Sequence, residues 1–268
     1  MRAKIGGSLV AKICGVSDYG SSWDAYRSLV MGDRGENTLP KRVGKELEKE
    51  LLPALYRETL SPGAVLYPQQ EVEKEEWARG HLDGVMECGG ERRVVEFKTA
   101  SIRTVSKWGD SWRDLPADYM CQVQFYMWLT GLTLADIPVL FGNEDFQVRT
   151  VHRDDVLIDK ILKQCAYFWF SHVIPERPPE IDGSDACAKW IRERYPEPMG
   201  ASGAWIEPDR EMSVLGVRLR VLNQKKDALD AEAKEIRNKL SERIGVERGV
   251  KGVAMKDKRG VVRILDGE

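Results

Sequence analysis

The chain has 268 residues, 42% of them hydrophobic, and a formal net charge of −2 at neutral pH. This composition excludes wholesale disorder, and no apolar run approaches the ~18 residues that a membrane-spanning helix needs. The N-terminal segment also lacks the apolar core of a signal peptide, so we expect a soluble, cytoplasmic protein. The length fits one large domain or one domain with an added module.

The cysteines do not form a recognisable pattern. There are five, scattered along the chain and without a Cys-x-x-Cys pair: Cys14, Cys88, Cys121, Cys165 and Cys187. An odd number without paired spacing argues against a disulfide framework and against a zinc or iron–sulfur site. We therefore predict buried free thiols.

The first part of the chain predicts helices followed by strands. Short helices are predicted over residues 8–14, with Ser8 as N-cap, and over 22–31. Apolar residues four apart predict a long amphipathic helix over 39–58, which Pro53 kinks. Strands are then predicted over 64–72, 79–88 and 91–99.

The middle of the chain alternates between the two kinds of element. A loop over 101–116 precedes a helix over 117–129, which ends at Gly131. Strands near 137–141 and 146–151 and a helix over 154–173 follow. This order predicts an α+β or α/β core rather than a TIM barrel or a Rossmann fold.

A coiled-coil-type seam marks the C-terminal part. Its members alternate with spacings of four and three: Leu215, Leu219, Leu222, Lys226, Leu229, Ala233, Ile236 and Leu240. Residues 250–265 predict a small hairpin. We expect a core domain over residues 1–180 and, over 181–268, a helical extension with a terminal β-hairpin.

A Gly-Gly pair at 89–90 separates two strand-like runs and predicts a two-residue hairpin turn. With this turn, Asp83 faces Glu96 and His81 faces Lys98. Opposed side chains share one face of a hairpin, and like charges so placed repel unless a cation lies between them. Oxygen ligands of this kind suit Mg²⁺. The alternative is an ordinary solvated face, which the hairpin alone leaves open.

These residues resemble a known nuclease core. Asp83 followed by Glu96-Phe97-Lys98 resembles the D…ExK motif of the PD-(D/E)XK nucleases, although Leu82 stands where a proline is usual. Residues 119–130 closely resemble a helix of lambda exonuclease.

Three further segments extend the resemblance. Gln122 and Tyr126 fit the QxxxY pattern of RecB-type nucleases, and residues 44–48 resemble the family's G-x-x-x-E helix. Residues 5–8 and 14–17 resemble the opening of YqaJ proteins. The chain is therefore similar to the lambda-exonuclease/YqaJ group of viral recombinases over residues 5–130.

The resemblance implies a restriction-endonuclease-like core, in which helices flank a central mixed sheet. It also implies a set of catalytic residues: Asp83, Glu96, Lys98, Glu48 and Gln122. The implied metal ligands are Asp83, Glu96, the Phe97 carbonyl and, through water, Glu48. The implied cofactor is Mg²⁺, with Mn²⁺ as a possible substitute, and Lys98 would orient or deprotonate the attacking water.

Further residues are candidates for DNA contacts: Ser8, Gln124, Tyr126, Lys107, Trp108 and Arg113. Ser8 would cap a helix that receives a terminal 5′-phosphate. Tyr126 would contact a phosphate or brace the site, and the loop residues would stack on bases and hold phosphates. The alternatives are an ordinary N-cap for Ser8, a core residue for Tyr126, a merely exposed residue for Gln124 and a packed loop for the other three.

The resemblance thus implies a Mg²⁺-dependent exonuclease that degrades linear duplex DNA from an end, in phage-type recombination within a host's cytoplasm. A single-strand-annealing recombinase and a homo-oligomer, a trimer by resemblance, are the implied partners. An endonuclease or nickase with the same core and a catalytically silent DNA-binding protein are the alternatives. The seam pairs between subunits, packs on its own core or lies along DNA.

Overall fold

The computed structural model describes residues 3–33, 35–109, 111–196, 206–251, 253–257 and 259–265. The chain forms two compact units, Met1–Glu197 and Pro198–Glu268. No helix of the described residues is long and apolar enough to cross a membrane. All five cysteines are free thiols, and Cys121, Cys165 and Cys187 are buried as predicted, whereas Cys14 and Cys88 are only partly buried.

A six-stranded mixed sheet forms the centre of the first unit. Its strands are β1 (Val65–Lys74), β2 (Ala78–Cys88), β3 (Glu91–Val95), β4 (Lys98–Ala100), β5 (Leu134–Phe141) and β6 (Asp145–His152). β1, β2 and β3 form an antiparallel meander, and β3 and β4 both run parallel to β5. β6 returns antiparallel to β5. The sheet is therefore mixed, as predicted.

Seven helices of the described residues belong to this unit: α1 (Gly7–Ile13), α2 (Ser22–Val30), α3 (Leu39–Leu47), α4 (Leu51–Thr59), α5 (Ala117–Thr130), α6 (Asp155–Phe168) and α7 (Asp185–Arg194). The segment between β4 and α5 contains two 3₁₀ helices, Ile102–Trp108 and Trp112–Asp114. α6 continues into a π-helical turn, Trp169–Val173.

The helices bury apolar side chains in two separate clusters. The larger cluster joins α1, α2, α5 and α6 to the sheet, and every residue of α5 from Met120 to Leu129 is buried. The smaller cluster packs Leu52 and Tyr56 of α4 against Met86, Val95, Phe97 and Leu140 of the sheet. Helices thus flank a central sheet, which confirms the predicted α+β architecture.

Two predicted elements need correction, and one helix was not predicted. The helix predicted over 39–58 is two helices, α3 and α4, and the break lies before Pro53, at residues 48–50. α1 begins at Gly7, so its N-cap is Gly6 and not Ser8. α7 was not predicted, and it packs against α2 in the first unit, whereas the predicted domain boundary lies after residue 180.

The second unit consists of one long helix and a small sheet. α8 (Arg210–Ile244) is followed by β7 (Gly249–Val250), β8 (Ala254–Lys256) and β9 (Val262–Ile264). The three strands form an antiparallel sheet, where the sequence predicted a hairpin. A small core joins this sheet to the end of α8 through Ile244, Ala254 and Val262.

Candidate active site

The register of the hairpin formed by β2 and β3 is the predicted one. Its pairs run from Cys88 opposite Glu91 to Gly84 opposite Val95. Both glycines at 89–90 have positive φ angles, 57° and 86°, which a two-residue turn of this kind requires. The sequence therefore predicted which side chains β2 and β3 bring together.

The strand after this turn is interrupted at Glu96 and Phe97, between β3 and β4. Both strands pair with β5 in one continuous register. This register places Pro138 opposite Phe97, and proline has no N–H with which to complete a ladder there. Pro138 of β5 therefore explains the interruption.

A side-chain contact replaces the ladder at the interruption. Asp83 accepts a hydrogen bond at Oδ2 from the N–H of Phe97, at 2.8 Å, and lies within the electrostatic field of Glu96. The predicted pairing of His81 with Lys98 is wrong. His81 pairs with β1, and the interruption moves Lys98 out of the hairpin into the parallel ladder with β5.

Glu96 is the centre of the cluster and is only 4% exposed. Its Oε1 accepts hydrogen bonds from Lys98 Nζ, at 2.6 Å, and from Gln122 Nε2, at 2.5 Å. Its Oε2 is buried and has no hydrogen-bond partner among the described residues. A buried carboxylate oxygen without a donor is costly, so this atom needs a ligand that the protein itself does not supply.

Tyr126 supports this arrangement from α5. Its hydroxyl lies 3.2 Å from Gln122 Nε2 and donates to the carbonyl of His81, at 3.1 Å. The ring is only 3% exposed. Of its two predicted roles, bracing the site fits this position, and contact with a DNA phosphate does not.

Glu48 reaches the cluster from the end of α3, where it is the C-cap residue. Its charge acts on both Asp83 and Lys98. Gly44 explains how α3 comes so close, because a Cβ at this position would lie 3.2 Å from Thr99 Oγ1 of β4. In the predicted G-x-x-x-E pattern, Gly44 therefore allows α3 to approach β4, and Glu48 adds a negative charge to the cluster.

The sequence did not single out a second buried carboxylate, Asp136, behind the site. It accepts hydrogen bonds from Tyr56 at 2.6 Å, Thr150 at 2.7 Å and Arg93 at 3.3 Å, and its backbone carbonyl accepts from Glu96 N–H. These contacts tie α4, β3 and β6 to the strand beside the interruption. An acidic residue within the apolar run of β5 was the available signal.

Two predicted DNA contacts need correction because the side chains are buried. Gln124 is 0% exposed, and its amide bonds the carbonyl of His152 and the N–H of Asp154, which join β6 to α6. Trp108 is 1% exposed and stacks on Tyr119 with ring centroids 4.9 Å apart. Both residues have packing roles in this structure.

The other three predicted DNA contacts are accessible. Ser8 is exposed in the first turn of α1, and Lys107 and Arg113 are exposed in the segment between β4 and α5. The Arg113 guanidinium lies over the Trp112 ring, 4.6 Å from its centroid. These residues remain available to a ligand, although Ser8 is not the cap that was predicted.

Comparisons with known proteins identify the family and the fold. Residues 1–133 match the family described as the YqaJ-like viral recombinase domain. The N-terminal half of the chain is a YqaJ-like viral recombinase domain. The uncharacterised protein YqaJ of Bacillus subtilis (strain 168) is 29% identical over 153 residues, which cover 56% of this chain and 47% of that protein. The chain thus spans about half the length of this curated relative.

Solved structures show the same fold as this YqaJ-like domain. The alkaline exonuclease LHK-Exo from Laribacter hongkongensis matches with a TM-score of 0.50 and 19% identity, over 71% of this chain and 93% of that chain. Its complex with dAMP matches with a TM-score of 0.51 and 18% identity, over 71% and 92%. At this identity the likeness is one of fold, and it confirms the predicted PD-(D/E)XK fold class.

A groove of about 950 Å³ opens beside the site of the YqaJ-like domain. Gln122 and Tyr119 of α5, Ser8 and Lys12 of α1, and Lys45 of α3 line it together with parts of α2 and α7. Both basic and acidic side chains line the groove, so the positive charge that could bind a polyanion is confined to parts of it. This agrees with the net charge of −2 for the whole chain.

The residues present in the YqaJ-like domain fit a divalent cation. No three His, Cys, Asp or Glu side chains within the described ranges converge as a complete metal site. Two carboxylates and the unpartnered Oε2 of Glu96 nevertheless suit Mg²⁺, which keeps several waters and needs few protein ligands. Phe97 directs its N–H to Asp83, so its carbonyl remains a candidate third ligand.

Burial sets the charge state of the cluster. It raises the pKa of Glu96 to about 7, an effect that Lys98 opposes and that Asp83 and Glu48 increase. Burial likewise raises the pKa of Asp83 and of Glu48. Burial would lower the pKa of Lys98, but the surrounding carboxylates raise it, so the amine stays protonated. The cluster therefore has three carboxyl groups and one ammonium group, so Lys98 alone does not neutralise it when the carboxyl groups are ionised.

This charge state predicts a pH-dependent metal requirement. Because a cation binds the carboxylate form, Glu96 must lose its proton first, and its ionised share rises from about a tenth at ~pH 6 to about nine tenths at ~pH 8. We expect the Mg²⁺ concentration for half-maximal DNA cleavage to fall roughly tenfold over this range. Mg²⁺ titrations at constant ionic strength measure it, and a pH-independent value would contradict the assignment of Glu96.

Proposed function

We propose that this protein is a Mg²⁺-dependent deoxyribonuclease that hydrolyses linear duplex DNA from an end. The observation that carries the proposal is the convergence of Asp83, Glu96, Lys98 and Gln122 at the strand interruption, with Glu96 Oε2 buried and unpartnered. The YqaJ-like domain and the fold of an alkaline exonuclease support it. Mn²⁺ also binds well to carboxylate ligands and would substitute for Mg²⁺.

Each residue of the cluster would have a separate role in cleavage. Asp83 and Glu96 would hold the cation, and Glu48 would stabilise its hydration shell from α3. A bound Mg²⁺ would polarise a phosphoryl oxygen and lower the pKa of a water molecule. Lys98, which remains protonated beside Glu96, would orient the attacking water and offset the negative charge that develops at the phosphate.

The neighbouring residues would keep this arrangement fixed. Gln122 holds Glu96 Oε1 from α5, and Tyr126 in turn holds Gln122, so Glu96 Oε2 would be left to bind the cation. The groove beside Gln122 would receive the DNA strand, with Lys12 and Lys45 against its phosphates. The family description also supports a place in viral recombination. A single-strand-annealing protein is the partner that we propose for this role.

An assay on two forms of one duplex tests the mode of cleavage. We expect linear DNA to be converted to acid-soluble nucleotides in Mg²⁺, whereas covalently closed circles of the same sequence survive. The groove lies beside an exposed helix start at Ser8, which suits a strand end. The same circle cut once by a restriction enzyme is the matched control. Rapid nicking of closed circles would establish an endonuclease and contradict the proposed mode.

A further inference from the structure

Three cysteine thiols meet where α1, α5 and α6 pack together. Cys14 is the C-cap residue of α1, Cys121 lies in the first half of α5, and Cys165 lies near the end of α6. The thiol of Cys14 is within hydrogen-bonding distance of the other two thiols. The three residues are far apart in the sequence, so the tertiary structure brings them together.

The packing of α1 along α5 accounts for the contact between the cysteines of these two helices. α1 begins against the Tyr126 ring, because a Cβ on Gly7 would lie 2.6 Å from atoms of that ring. Just after α1 ends, the Ser17 hydroxyl donates to the carboxylate of Asp118, at 2.5 Å. The two helices therefore run antiparallel, and their cysteines lie between these two contacts.

The three thiols differ in their access to solvent. Cys14 is partly exposed, whereas Cys121 and Cys165 are only 5% and 0% exposed. A reagent from solution therefore reaches Cys14 first. The thiols of Cys121 and Cys165 also donate hydrogen bonds that lower the pKa of Cys14, although burial opposes this effect. A lowered pKa favours the thiolate, which is the nucleophilic form of cysteine.

We propose that Cys14 is a site of reversible oxidation by peroxide and that Cys121 is the thiol that forms a disulfide with it. Cys121 rather than Cys165 is the partner, because α1 is held to α5 on both sides of this pair. The disulfide ties the end of α1 to α5 directly before Gln122, and both helices line the groove. The proposal concerns a modification and does not depend on the proposed nuclease activity.

The oxidation has two steps, and hydrogen peroxide is the oxidant. The sulfur of Cys14 attacks one peroxide oxygen, so that an S–O bond forms, the O–O bond breaks and the leaving hydroxide takes up a proton to become water. The sulfur of Cys121 then attacks the sulfur of Cys14. An S–S bond forms, and the hydroxyl group leaves as a second water with the thiol proton. The two thiols thus lose two electrons to the peroxide.

Peptide mapping of the full-length protein tests the disulfide. The reduced protein is treated with hydrogen peroxide at low protein concentration, its remaining thiols are alkylated in denaturant, and it is digested with trypsin without reductant. Trypsin places the three thiols in separate peptides, residues 13–27, 114–149 and 164–189. We expect the first two peptides to be joined, with a mass two hydrogens below their sum, and dithiothreitol to separate them. A bridge from Cys14 to Cys165, or no bridge, would overturn the proposal.

Cys88 is a matched control within the same chain. It is partly buried like Cys14, but it packs against the smaller apolar cluster, whereas the other four cysteines belong to or contact the larger one. We expect peroxide to consume the Cys14 thiol at least about tenfold faster than the Cys88 thiol, since an ordinary thiol is only a few per cent thiolate at neutral pH. Equal rates at the two positions would contradict the special reactivity of Cys14.

The variant Cys14→Ser tests which thiol meets the oxidant. The change lies at a partly exposed position, and an unchanged circular dichroism spectrum would verify the fold. We expect Cys121 and Cys165 to stay reduced in this variant over the time in which the wild type forms its disulfide, because both are buried. Oxidation of Cys121 in the variant at the wild-type rate would overturn the role of Cys14.

Discussion

Replacing Glu96 with Gln is expected to reduce DNA cleavage by about a thousandfold or more. The change removes the ionised carboxylate whose unpartnered Oε2 is the proposed cation ligand, and metal stabilisation of the transition state amounts to several kcal/mol. The amide keeps nearly the same shape, and its oxygen still accepts from Gln122. Initial rates on linear duplex DNA in saturating Mg²⁺ measure the effect.

The same variant separates catalysis from folding. The pKa of Glu96 is raised in the folded state, so without metal its contribution to stability is full at acid pH and is lost as the pH rises through about 7. Gln is neutral throughout. Without metal at ~pH 8, the variant is therefore expected to unfold at a temperature no lower than the wild type does. If the activity of the variant were within tenfold of that of the wild type, Glu96 would not be a metal ligand.

Replacing Lys98 with Met is expected to reduce the maximal rate about a hundred- to ten-thousandfold, the range for loss of one acid–base or electrostatic group. Lys98 Nζ bonds Glu96 and lies 5.6 Å from the centroid of the Tyr119 ring, so methionine can occupy the same space. Single-turnover rates at alkaline pH measure the chemical step.

Metal affinity provides the control for this variant. Lys98 lowers the pKa of Glu96, so methionine raises that pKa and weakens Mg²⁺ binding near neutral pH. Well above ~pH 8, where the carboxylates are ionised, loss of the positive charge should leave Mg²⁺ binding intact or strengthen it. Lys98→Arg, which keeps the charge, should retain more activity than Lys98→Met. Equal rates for Lys98→Met and the wild type would leave Lys98 with a structural role alone.

Local rules predicted the half of the site that lies on the hairpin. The glycine pair at 89–90 fixes the register, and the register places Asp83 next to Glu96. Alternation along a strand could not predict the interruption at Glu96 and Phe97, because Pro138, which explains it, is distant in sequence. Lys98 was therefore assigned the wrong neighbour, although it belongs to the correct cluster.

On the helical side of the site, some contacts follow from helix geometry and others depend on the tertiary structure. Gln122 and Tyr126 are four residues apart and share a face, so their relation follows from helix geometry. Gln124 and Trp108 are polar or amphipathic residues near the site, and such residues in a sequence suggest ligand contacts. Their burial depends on β6, α6 and β5, which only the tertiary structure brings against them.

The central claim is that Asp83 and Glu96 bind a divalent cation that is required for cleavage of DNA. Release of acid-soluble nucleotides from linear duplex DNA, by the wild type and by Asp83→Asn, with Mg²⁺ and with a chelator, tests it most directly. We expect release only by the wild type with Mg²⁺. Equal release by Asp83→Asn, or release by the wild type in chelator, would contradict the claim.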